Sequence, residues 1–86
     1  MPEIARFFGI IISMYYDDHN PPHFHARYSE ESVVIKIETL NILEGQISAR
    51  ALGLIMEWAS QHKEELLEDW NLARNNQPPK KITPLK

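Results

Sequence analysis

The sequence predicts an α+β domain: a small antiparallel sheet of three to four strands in the N-terminal half, then one long bent helix or two consecutive helices packed on one face of it. Two observations carry this prediction. Before residue 47 the apolar residues are largely β-branched or aromatic and tend to alternate, whereas from Ser48 onward they recur at steps of three and four. With 86 residues, 43% of them hydrophobic, the chain reads as a single domain over 1–86, mainly strands over 4–47, helical over 48–75 and an extended basic tail over 76–86.

Residues 4–16 are rich in isoleucine and aromatics, which favours a strand. Both of its faces are apolar, so it reads as one central strand, with Gly9 marking a bulge or bend. Pro21 and Pro22 lack backbone donors and push the residue before each out of the α region, so Asn20 to Pro22 should be extended and end the preceding ladder. A second strand restarts over Phe24 to Tyr28. Alternation along it puts His23, His25 and Arg27 on one face and Phe24, Ala26 and Tyr28 on the other, core-facing side. Ser29 to Ser32 makes a polar turn into a third strand, where Val33, Ile35 and Ile37 point inward. Leu40 to Leu43 is a further extended piece leading to a turn at Glu44-Gly45.

Ser48 is a good helix N-cap, and Leu52, Ile55, Ala59, His62, Leu66, Trp70 and Ala73 form a stripe behind it. A continuous helix over 49–75 would span roughly 40 Å at about 1.5 Å per residue, long for so small a domain. Ser60-Gln61-His62 is the polar interruption where it should bend or restart. Asn75 to Pro79 ends the helix, and Lys80 to Lys86 should run extended, with Ile82 and Leu85 available to hold it down.

Composition removes several classes of function. There is no cysteine, hence no disulfide frame, thiolate metal site or cysteine nucleophile. The N-terminus is not a basic leader and Ile10-Ile11-Ile12 is too short for a membrane span, so a cytoplasmic protein with no membrane partner is expected. The net charge of −3 divides into −4 over residues 1–48, −2 over 49–75 and +3 over 76–86. So acidic a body lacks the phosphate-neutralising footprint of nucleic-acid binders, which disfavours RNA as a partner.

Chemistry concentrates in residues 17–28, which hold three of the four histidines, two adjacent carboxylates and an arginine. Three functional readings fit. In the first, a divalent metal, the one cofactor these side chains suggest, is chelated by His23 and His25 with His19 or Asp18 from across the turn; no organic cofactor is expected. In the second, His23 and His25 act as acid and base and Arg27 holds a phosphate, which would suit cleavage of an RNA phosphodiester. In the third, a noncatalytic module binds a small protein partner or a second copy, with the histidines, Asp17, Asp18 and Lys36 as polar contacts and Trp58 and Trp70, if exposed, as apolar anchors. Beside these stands a bland reading, in which polar side chains satisfy backbone donors around a Pro-Pro turn. It is the stronger one for His62, and both tryptophans are more often core than interface.

Several blocks together resemble a known family: Ile4, Phe7, Gly9 and Ile10; Asp18-His19 with Pro21-Pro22-His23-Phe24-His25-Ala26 and Tyr28; Glu44-Gly45; Ala51-Leu52; Glu57-Trp58; and Glu64-Glu65-Leu66-Leu67 with Trp70. The chain resembles, over essentially its whole length, the small bacterial proteins grouped as domain-of-unknown-function family 4160. The resemblance carries no activity. Family members are similar to toxin–antitoxin components in size and in often lying beside a second small gene, which implies a component of a toxin–antitoxin-like module whose working surface is the histidine block, with RNA cleavage as its sharpest version and a metal-binding protein or a noncatalytic partner-binding module as the alternatives.

Overall fold

A computed structural model describes residues 2–16 and 18–86. It contains five strands followed by two helices: β1 (Glu3–Phe7), β2 (Ile10–Ser13), β3 (His23–Tyr28), β4 (Glu31–Lys36), β5 (Ile42–Gln46), α1 (Ala49–Gln61) and α2 (Lys63–Arg74). The strands form one antiparallel meander in the order β1-β2-β3-β4-β5. The architecture is the expected α+β one, with one strand more than the upper expectation of four.

The extra strand comes from the N-terminal run. Residues 4–16 do not make a single central strand: Phe8 and Gly9 both have positive φ, 50° and 82°, and fold the run into a hairpin. Two consecutive positive-φ residues give a turn whose twist matches that of paired strands, so what read as a bulge is a reversal. The C-terminal end of the sheet also differs from expectation. Glu44-Gly45 lies inside β5 rather than at a turn, and the chain reverses earlier, where Leu40 has φ 62° and its amide donates to the Lys36 carbonyl at 2.8 Å. Ser29 also has positive φ, which lets β3 pass into β4 through a shorter turn than expected.

One face of the sheet is apolar and carries the helices. Ile10, Ile12, Phe24, Ala26, Val33 and Ile35 from the strands meet Ala51, Ile55, Trp58, Leu66, Trp70 and Ala73 from the helices in a single cluster. The Ser48 hydroxyl accepts from the Ala51 amide and caps α1, and the helical run breaks at His62, whose φ and ψ are −130° and 27°. His62 fits its bland reading: Nδ1 lies 2.6 Å from Glu65 Oε1 and the ring packs on Trp58. The bend folds α2 back so that Trp70 reaches His23 at the start of β3.

The tail is bound along the body. The Lys80 amide donates to Asp69 Oδ1, the Ile82 amide to the Ile4 carbonyl, and Trp58 Nε1 to the Thr83 carbonyl, each at 2.8 Å, with Ile82 buried beneath. Asp69 is itself buried, and its Oδ2 has no hydrogen-bond partner among the described residues. Burial raises its pKa above the ordinary carboxylate value, and the Lys80 amide only partly offsets that. Among the described residues no helix is long and apolar enough to cross a membrane.

Candidate metal centre

The polar face of the sheet starts from the alternation in β3. Phe24 and Ala26 enter the core, which leaves His23, His25 and Arg27 on the opposite face. His23, at the strand's first position, is covered by Trp70, with ring centroids 4.9 Å apart, and only 8% of it is exposed. His25 is half-buried, with Tyr15 edge-on at 4.2 Å. The loop between β2 and β3 folds over them and delivers Asp18. Its Oδ2 stands 2.8 Å from His23 Nε2 and 3.5 Å from His25 Nε2.

The prolines contribute an acceptor as well as a shape. The Pro21 carbonyl lies 2.7 Å from His23 Nδ1. A carbonyl can only accept, so Nδ1 carries the proton. In a neutral ring Nε2 is then a bare lone pair, aimed at an Asp18 oxygen that also has only lone pairs to offer. Two acceptors at that distance repel unless a proton or a cation lies between them. A histidine whose far nitrogen donates to a backbone carbonyl is also the usual arrangement for a metal ligand, because that bond sets the tautomer and the ring angle.

The donor atoms of Asp18, His23 and His25 all lie within 4.8 Å of one another. Metal–ligand bonds near 2.1 Å imply donor separations of about 3–3.5 Å, so a small contraction would seat an ion. Burial by itself would raise the Asp18 pKa, but hydrogen bonds from the His19 amide and the two histidines outweigh it and hold the carboxyl below its ordinary value. For His25, desolvation is the largest influence and lowers its pKa, against the upward pull of Asp18. An ionised carboxylate and a neutral imidazole are the forms that ligate metals. The cluster opens onto a cavity of about 410 Å³, whose other walls include Tyr15, His19, Asn20, Leu43 and Glu44.

The remaining expected residues separate from this cluster. His19 lines the cavity, but its ring is not among the three converging donors. Arg27 is exposed, its Nε donates to the Ser29 carbonyl at 3.3 Å, and it faces a neighbouring depression shared with Tyr15 and His25. Lys36 pairs with His23 across the β3–β4 ladder. Trp58 and Trp70 are 0% and 2% exposed, so they are core residues and cannot serve as exposed anchors. Asp17 lies outside the described residues. Sequence reasoning missed Tyr15, Leu43 and Glu44, and gave Asn20 no role although it lies within the 17–28 stretch; the local signal for Glu44 was the Glu44-Gly45 pair, which read as a turn.

Residues 9–71 match the family model described as a domain of unknown function, DUF4160. The chain belongs to that family. The match runs from the β1–β2 turn into α2, so all three converging donors of this DUF4160 chain fall within the part that defines the family. No curated protein and no solved structure matches the chain.

Proposed function

We propose that this chain is a divalent-metal protein with Asp18, His23 and His25 as ligands and a coordination position facing the adjoining cavity, where bound water would be activated for hydrolysis. The observation that carries this reading is the pairing of His23: its Nδ1 is committed to the Pro21 carbonyl, so its Nε2 faces the Asp18 carboxylate at 2.8 Å, a contact that needs a proton or a cation between the two atoms. Two imidazoles and one carboxylate are a donor set shared by zinc, manganese and iron sites. Three protein ligands with an open position are the arrangement in which a metal lowers the pKa of bound water.

RNA cleavage by metal-free histidine chemistry, as one component of a toxin–antitoxin-like module, uses the same residues with less behind it. His23 is buried with both ring nitrogens engaged, which leaves it poorly placed to exchange protons with a substrate. Arg27 is turned toward the Ser29 carbonyl, and the chain's net charge of −3 opposes a polyanion.

Elemental mass spectrometry of the untagged protein, with melts in the presence and absence of chelator, tests the metal reading. Stoichiometric zinc, manganese or iron, lost in His25→Ala, is the expected result. His25 is the cleaner probe, because His23 also packs on Trp70. A metal-free protein that takes up none of these ions and melts alike with and without chelator overturns the reading.

A further inference from the structure

Glu44 is the acidic side chain of the cavity that the three-donor set leaves unused. Pairing puts it in a row with the cluster: His25 on β3 is opposite Val34 on β4, and Val34 is opposite Glu44 on β5. Paired residues share a face, so His25 and Glu44 project to the same side, about 10 Å apart at the backbone with a single valine between them. A histidine and a glutamate leaning toward each other over a valine can reach a common ion across that span.

The backbone of β5 is irregular on both sides of Glu44. The register slips between Val34 and Ile35, which leaves Leu43 as an extra residue, and Gly45 has φ 82°. A Cβ at Gly45 would collide with the Ser32 carbonyl oxygen, so only glycine permits this approach. Bulges of this kind re-aim side chains and recur beside functional sites. Glu44 also takes part in none of the ion pairs among the described residues.

We propose that Glu44 is a fourth protein ligand of the metal held by Asp18, His23 and His25, delivered from the edge strand when the ion binds. The proposal rests on the metal reading above and deepens it: manganese or iron(II), which take five or six ligands, would keep a position for water beside Glu44, whereas a tetrahedral zinc would be closed by it. Two carboxylates and two neutral imidazoles would balance a divalent charge, where three ligands leave it at +1. A two-oxygen, two-nitrogen set is harder than the three-ligand set, which favours manganese, iron(II) or zinc over softer ions. Ligation from β5 would tie the Asp18 loop, β3 and the exposed edge strand to one ion.

The test uses the full chain stripped with chelator and then titrated with cobalt(II), zinc and manganese, in the wild type, Glu44→Gln, Glu44→Asp and His19→Ala. Affinity is read by chelator competition, coordination by the visible cobalt spectrum, and edge-strand ordering by amide exchange over β5. Loss of a ligand should cost at least the roughly 10- to 100-fold typical of an outer-shell partner. The expected result is that loss in Glu44→Gln, with a changed cobalt spectrum and no metal-dependent protection of β5, an intermediate affinity in Glu44→Asp, and an unaltered apo melt in both. Wild-type affinity and spectrum in Glu44→Gln overturn the Glu44 assignment and leave the three-ligand centre standing. The loss appearing in His19→Ala instead makes His19 the fourth ligand and overturns it too. A wild type that binds none of the three ions fails the metal reading itself.

Discussion

The docking of the C-terminal tail can be tested through Ile82→Ala. Ile82 is 4% exposed, its amide is bonded to Ile4 on β1, and the next residue, Thr83, accepts from Trp58 Nε1 in the core. Truncating a buried isoleucine to alanine removes three methyl or methylene groups and leaves a cavity, at about 2–5 kcal/mol. A tail can also peel away and let the site collapse, so the lower part of that range, about 2–3 kcal/mol, is expected here. At roughly 0.05–0.15 kcal/mol per residue, a domain of this length holds on the order of 4–13 kcal/mol, and the loss is a large share of it. In a thermal melt it corresponds to roughly 8–24 °C. Urea titration followed by tryptophan fluorescence is the direct assay, because Trp58 loses its Thr83 partner as the tail leaves. Lys81→Ala, next to it and exposed, should stay within about 0.5 kcal/mol. If Ile82→Ala unfolds at the wild-type midpoint, the tail contributes nothing to the core and the account of its docking is wrong.

Two further outcomes follow from single side chains. Asp69 has its folded-state pKa raised by burial, so the stability it contributes is complete below the ordinary carboxylate pKa and is lost as pH rises through the folded value. Asp69→Asn keeps an oxygen for the Lys80 amide without the buried charge; its urea midpoint should therefore gain on the wild type as pH rises above the ordinary carboxylate range, and a pH-independent difference would contradict the assignment. Gly45→Ala forces a Cβ toward the Ser32 carbonyl at positive φ, so it should cost at least about 1–3 kcal/mol and loosen β5, visible as faster amide exchange there; an unchanged melt would show that β5 tolerates a regular strand geometry.

The α+β class, the helix start at Ser48 and the break near His62 were legible because they depend on local rules: a period, a capping hydroxyl and a polar gap in an apolar stripe. The same holds for the faces of β3, since strand alternation put His23 and His25 opposite Phe24 and Ala26 without knowledge of any neighbour. The hairpin at Phe8-Gly9 escaped because a bulky aromatic seldom takes positive φ; that conformation is imposed by the stretch from Glu3 to Ser13 pairing with itself rather than by Phe8. β5 escaped because Gly45 reads as a turn residue unless the close approach of Ser32 is known.

The chain by itself determined which residues could do chemistry. It placed histidines, carboxylates and a double proline in one short stretch, where spacing along a strand follows from bond geometry. Which of them meet was decided by tertiary structure. Asp18 rather than His19 reaches the imidazoles because of how the β2–β3 loop closes, the Pro21 carbonyl chooses the His23 tautomer, and α2 folds back so that Trp70 seals that ring. Glu44 comes to the same cavity only through two successive strand pairings, His25 with Val34 and Val34 with Glu44. Distances of that kind are set by packing across the sheet, and no local pattern of residues encodes them.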